Sequence, residues 1–127
     1  MLQDSVERFI QNDYGFDQRQ KLTGSELGFS KEHWSHFAEL GWLGLPFAEE
    51  DGGFGGSAID TMIVMEAFGK GLVVEPYVST VLMAGSALAH AGTTAQKEGP
   101  LAAIIGGEAQ ASLAYIEPQA RFNLNHV

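Results

Sequence analysis

Residues 46–71, PFAEEDGGFGGSAIDTMIVMEAFGKG, decide how this chain is read. A glycine-rich turn that opens a helix can cradle a phosphate, because bare amides and the helix dipole both favour an anion. Such a loop usually follows a strand and often carries a lysine. Here the turn follows a helical pattern, and Glu49, Glu50 and Asp51 stand beside the would-be anion site, where they repel phosphate. The sequence therefore favours a second reading, in which Gly52, Gly53, Gly55 and Gly56 allow a tight reversal and close backbone packing between two helices. The three adjacent carboxylates share no enclosed pocket that would raise a pKa, so they read as solvated charge and not as an acid/base pair.

Working outward, Ser57 with Asp60 gives an S-x-x-D capping box ahead of Ile59, Met62, Ile63 and Ala67, and a helix of about 13 residues follows. Gly69, Gly71 and the Glu75-Pro76 pair are expected to end it, since the residue before proline disfavours helical dihedrals. On the N-terminal side, Leu2, Val6, Phe9 and Ile10 share one face of a first helix ending near Tyr14-Gly15. DQRQKLTGSELG reads as a loop. Ser30 then caps a second helix with Trp34, Phe37 and Leu40 on one side and Gly41 as its C′ residue. On the C-terminal side, residues 77–91 form an uncharged, largely buried fourth helix. Thr93 with Gln96 opens a fifth, kinked around Gly99-Pro100 and ended by Gly106-Gly107. Residues 111–116 read as a short apolar strand.

The expectation is an all-α, five-helix, bundle-like domain over residues 1–110, with residues 111–127 starting a β domain. The chain opens already in helical rhythm and stops at FNLNHV, a β-like run with no partner, so it reads as a piece of a longer protein.

At 127 residues with 45% apolar content the chain can bury a core. Its formal charge of −9 repels phosphate backbones and anionic membrane surfaces, which argues against nucleic-acid or membrane partners. The absence of cysteine removes disulfides, thiolate nucleophiles and thiolate metal sites. Residues 76–92, within the longest uncharged stretch, fall short of the roughly 20 apolar residues that span a bilayer and include Ser79, Thr80, Ser86 and His90. No signal-sequence pattern opens the chain, so a soluble cytoplasmic protein is expected.

His33 and His36 lie at i, i+3, but no third ligand stands at convincing spacing, and a solvated helix face is the simpler reading. Glu66, in the apolar third helix, needs a partner or an exposed edge. Thr80 and Met83 sit at i, i+3 on the uncharged fourth helix, beside Ser79, Gly85 and Ser86. Such small residues either admit a neighbouring helix or leave a pocket, and helix packing is favoured.

The order of the pieces HWSHFAELGWLGLPFAEEDGGFGGSAIDTMIVMEAFGKG, PYVSTVLMAGSALAHAG and TTAQKEGPLAAIIGGEAQASLAYIEP resembles the N-terminal helical domain of the flavin-dependent acyl-CoA dehydrogenases. The individual motifs are loose, but their order and spacing over residues 6–118 are rather specific. The resemblance implies a parent of three parts, with this helical domain followed by a β domain and a C-terminal helical bundle. It also implies an acyl-CoA substrate, FAD, and electron-transfer flavoprotein as electron acceptor. The parent would desaturate the acyl-CoA, and subunits would assemble as homo- or hetero-oligomers. The family's catalytic glutamate lies in the C-terminal bundle, so no catalytic residue is expected in this chain and the piece alone should be inert.

Carried over by position, the family's T-x-x-E at the far end of the acyl tunnel falls on Thr80 and Met83. Met83 in the acidic position implies an apolar end wall, and this turns the helix-packing reading towards a pocket. The family's flavin-facing Y-x-V-T-E-P-x-x-G-S-D falls on LAYIEPQARFN, residues 113–123, so Leu113, Tyr115, Ile116 and Phe122 are the implied cofactor-binding positions. Ile116 lacks the hydroxyl usual there, and Arg121-Phe122-Asn123 replaces glycine, serine and aspartate. The E-P-x-x-R-[FY]-[ND]-L form resembles small subunits acting on dicarboxylic or bulky acyl-CoAs. Arg121 could then meet a substrate carboxylate or a flavin phosphate. The alternative is a non-catalytic partner subunit of the same fold that has lost its own flavin site.

Overall fold

A computed structural model describes residues 1–126. Among the described residues the regular secondary structure is all helical, with a single 3-10 turn at Glu49–Asp51 and six helical rods where five were expected. These are α1 (Leu2–Asp13), α2 (Phe16–Thr23), α3 (Lys31–Glu39) and α4 (Ala58–Gly71), then two composite rods. Rod α5 spans residues 78–91, π-coiled over Val78–Gly85 and α-helical over Ser86–Ala91. Rod α6 spans residues 94–105, with a π-coiled stretch at Lys97–Leu101 between short α-helical ends. Pro100 lies inside that stretch, so the wide coiling absorbs the predicted kink.

Aromatic rings tie the rods together. Phe9 of α1 packs edge-on to Phe37 of α3 at 5.2 Å, Phe37 stacks on Phe68 of α4 at 5.0 Å, and Phe68 meets Tyr77 edge-on at 5.3 Å. Offset and edge-to-face contacts of this kind add roughly 0.5–1.5 kcal/mol each beyond area burial. The Tyr77 hydroxyl donates to the Trp42 carbonyl at 2.9 Å, and burial raises the pKa of this phenol.

Glu75 is buried in the link between α4 and α5. Its carboxylate accepts from the Tyr14 hydroxyl at 2.8 Å and the Ser30 amide at 3.3 Å, and it meets His33 Nδ1 at 3.2 Å. Tyr14 in turn accepts from the Val74 amide at 2.9 Å. Burial, opposed by the Val74 bond and reinforced by Glu75, holds the Tyr14 phenol well above its ordinary pKa. His33, expected on a solvated face, is thus half-buried against Glu75 and the edge of Phe9.

The predicted local signals stand at most helix ends. Ser30 accepts from the His33 amide. Ser57/Asp60 and Thr93/Gln96 form full capping boxes. Gly41 closes α3 at φ 77°, with Gly41 N–H bonded to Ala38 and Trp42 N–H to Phe37. Glu66 finds its partner in Lys70 at 2.9 Å.

Three expectations are corrected, while the end of α4 falls where its glycines were expected to put it. The loop after Tyr14 contains α2, held by the Arg19 Nε bond to the Leu72 carbonyl at 2.8 Å. Helix α4 ends at Gly71, one of the expected stop signals, with Leu72 capping it in the left-handed region at φ 50°. Leu40, Ile59 and Met62 are exposed, and Val64, Ala67 and Phe68 form the buried face of α4. Residues 111–116 form no strand, because a ladder needs a neighbouring strand and the described residues offer none.

Three measurements follow from this packing. A Cβ on Gly53 would fall onto the Phe47 carbonyl, whereas Gly52, at φ 85°, faces open space. In urea unfolding, Gly53→Ala should cost about 2–4 kcal/mol against about 1–2 kcal/mol for Gly52→Ala, and equal costs would contradict the close approach. Tyr14→Phe strands the Val74 amide and removes a donor from Glu75, so a loss of about 2 kcal/mol is expected in the same assay. Hydrogen bonds from the Ser57 hydroxyl and amide hold the Asp60 carboxyl below its ordinary pKa. A depressed carboxylate stabilises above its unfolded pKa, about 3.9, and that share is lost as pH falls through the folded value. Asp60→Asn should therefore flatten the stability curve below about pH 4, and an unchanged curve would exclude the cap as a source of acid sensitivity.

Candidate functional site

Rod α5 starts at Val78, three residues after the buried Glu75, and carries the buried Thr80. Thr80 is 0% exposed. Its hydroxyl donates to the Ala111 carbonyl at 3.0 Å and accepts from the Ala111 amide at 3.3 Å. One side chain therefore satisfies both backbone groups of the residue at which the chain leaves the helical layer. Beside it lies an open groove of about 480 Å³, bordered by Leu27, Phe29, Val74, Pro76, Thr80 and Ala111.

Met83 is half-buried and does not border that groove. The reason is the coiling of Val78–Gly85. With i→i+5 bonds, a turn takes almost one residue more than in an α-helix, so positions three apart stand roughly a third of a turn from each other instead of about a sixth. Thr80 and Met83, read from the sequence as sharing a face, are thereby separated.

Leu113, Tyr115, Ile116 and Phe122 all lie exposed, Phe122 at 95%. Among the described residues, the amides of 112–116 make no hydrogen bond, so this stretch offers bare backbone as well as apolar side chains. Successive turns, Ala120 to Glu117 and Asn123 to Ala120, follow it, with Arg121 at φ 52°. The structure thus joins Thr80 to the start of this segment and leaves the four cofactor-binding candidates without partners among the described residues.

The glycine loop is fully used internally. Gly53 donates to Ala48 at 2.9 Å, Gly55 to Phe47 at 2.7 Å and Gly56 to Leu45 at 2.8 Å, so these amides cannot cradle a phosphate. Asp51 is paired with Lys97 at 3.0 Å and is partly buried, while Glu49 and Glu50 remain exposed. Of the two histidines, His33 turns to Glu75 and His36 to Glu39. Among the described residues, no three His, Cys, Asp or Glu side chains are placed to share a metal ion. No helix of the described residues is long and apolar enough to cross a membrane.

Sequence reasoning missed two parts of this arrangement. Glu75 appeared only as the residue before a proline, and nothing local marked Ala111 as the partner of Thr80. The usable signal was a hydroxyl inside an uncharged helix, which must find a hydrogen-bond partner once it is buried.

Comparison with known proteins fits this layout. The probable acyl-CoA dehydrogenase YngJ of Bacillus subtilis is 35% identical over 94 residues, which is 72% of this chain and 25% of that protein. The steroid ACAD Tcur3481-Tcur3483 superposes with a TM-score of 0.82 at 23% identity, covering 91% of this chain and 32% of that one. The ChsE4-ChsE5 complex of Mycobacterium tuberculosis gives 0.80 at 24% identity, covering 87% and 30%. The chain spans about a quarter of the curated relative it matches. The family profile described as acyl-CoA dehydrogenase, N-terminal domain, matches residues 1–108, and with that match the chain belongs to the acyl-CoA dehydrogenase family as its N-terminal helical domain.

Proposed function

We propose that this chain is the N-terminal domain of an FAD-dependent acyl-CoA dehydrogenase subunit that desaturates an acyl-CoA thioester between Cα and Cβ. The observation that carries this reading is the joining of α5 to the exit segment through Thr80, which sets a groove of mixed lining beside backbone that has no partner among the described residues. In the proposed arrangement α5 walls the acyl chain, and Met83, on a different side of α5 from the groove, supplies a flexible apolar end wall. Leu113, Tyr115, Ile116 and Phe122 lie towards the cofactor. FAD, when bound, supplies the hydride-accepting chemistry, and the base that removes the α proton belongs to a C-terminal bundle beyond these residues. Electron-transfer flavoprotein takes the electrons onward, and the parent works in the cytoplasm.

The residues present fit a flavin through their backbone. Free amides at 112–116 can meet it, but Ile116 supplies no hydroxyl. That departure, with Phe122 in place of serine, favours a hetero-oligomer in which this subunit acts on bulky or dicarboxylic acyl-CoAs, with Arg121 meeting a carboxylate or a flavin phosphate. The paired subunits named for the ChsE4-ChsE5 complex support the same assembly. It also sustains a second reading, a partner subunit of the same fold with no flavin of its own.

The full-length protein, expressed with any partner subunit, should carry flavin absorbance that acyl-CoA bleaches under anaerobic conditions. A colourless protein with no acyl-CoA response would overturn the reading. Flavin retained by this subunit when purified alone would exclude the second one.

A further inference from the structure

We propose that Thr80 is a positioning residue, whose hydroxyl clamps Ala111 and so fixes the path on which residues 113–116 leave the helical domain. Hydrogen-bond capacity limits what Thr80 can do. A threonine hydroxyl offers one donor and two acceptor sites. Here the donor goes to the Ala111 carbonyl and one acceptor to the Ala111 amide, while the residue is wholly buried. Little capacity is left for a substrate, so the role implied for this position by resemblance is replaced by an indirect one.

The clamp stands where a β ladder would otherwise be needed. Residues 112–116 have no backbone partner among the described residues, and Glu108 and Ala109 are the last to bond back to α6, both to the Ala103 carbonyl. Between Ala109 and the turn that begins at Glu117, the Thr80 hydroxyl makes the hydrogen bonds that tie the segment to the helices. Ile116 lies five positions beyond it. An extended chain spans about 3.3 Å per residue, so a loosened anchor at Ala111 is felt along the whole stretch. The consequence for the cofactor rests on the functional reading given above, whereas the clamp itself does not.

The test uses the full-length protein and two variants. Thr80→Val keeps the shape and removes the hydroxyl, and Thr80→Ser keeps the hydroxyl. Hydrogen exchange of the Ala111 amide, which bonds to the Thr80 hydroxyl, should rise by roughly tenfold in Thr80→Val, with α4 unchanged, and Thr80→Ser should restore protection. Exchange in Thr80→Val equal to the wild type overturns the clamp. Visible circular dichroism of the bound flavin should shift in Thr80→Val and return in Thr80→Ser. Loosened exchange with an unaltered flavin spectrum overturns the positioning role. A wild-type protein that binds no flavin overturns the functional reading instead, and the exchange arm still decides the clamp.

Discussion

The burial of one carboxylate organises this domain. Burying a carboxyl group is costly unless its oxygens find hydrogen-bond partners, and Glu75 meets that demand from three directions. Tyr14 comes from the end of α1, the Ser30 amide from the start of α3, and His33 from the first turn of α3. Each partner is useful only if its own element sits in place, so the carboxyl couples α1, α3 and the α4–α5 link into one arrangement. The aromatic rings of Phe9, Phe37, Phe68 and Tyr77 then fill the space that this arrangement defines.

The same link determines where α5 begins, and α5 determines where the chain leaves the helical layer. A buried Glu75 places Pro76 and Tyr77, the Tyr77 hydroxyl ties to Trp42, and Thr80 lies three residues beyond. The candidate site is therefore downstream of the core in a physical sense, because its position is inherited from a hydrogen-bonded carboxyl that takes no part in it. On the opposite flank, the glycine loop spends its amides on the carbonyls of residues 45–48 and uses Asp51 to reach Lys97 on α6.

What could be read from the sequence was what local chemistry determines. Ser30, Gly41, Ser57 with Asp60 and Thr93 with Gln96 act within one helical turn, and all were legible. Helix α2 was not, since FDQRQKLT has no apolar period and buries no residue. The inward face of α4 was not legible, because that helix is apolar on nearly every side and periodicity does not separate Ile59 from Phe68. Glu75 and Tyr14 lie 61 residues apart, and no local pattern reports such a pairing. The division of Thr80 from Met83 was hidden for another reason, namely that a 3.6-residue period was assumed where the chain coils more widely.

That wide coiling bears on how the chain tolerates changes in length. A π-coiled stretch amounts to an α-helix carrying a surplus residue. A buried helix ordinarily admits no insertion or deletion, because one residue turns everything beyond it by about 100°. Rod α5 can lose a residue within 78–85 by relaxing towards ordinary α coiling, with Tyr77 on one side and residues 86–91 on the other kept in place. Length variation can thus collect inside the helix that borders the groove, and relatives aligned residue for residue across it need not present the same side chains there.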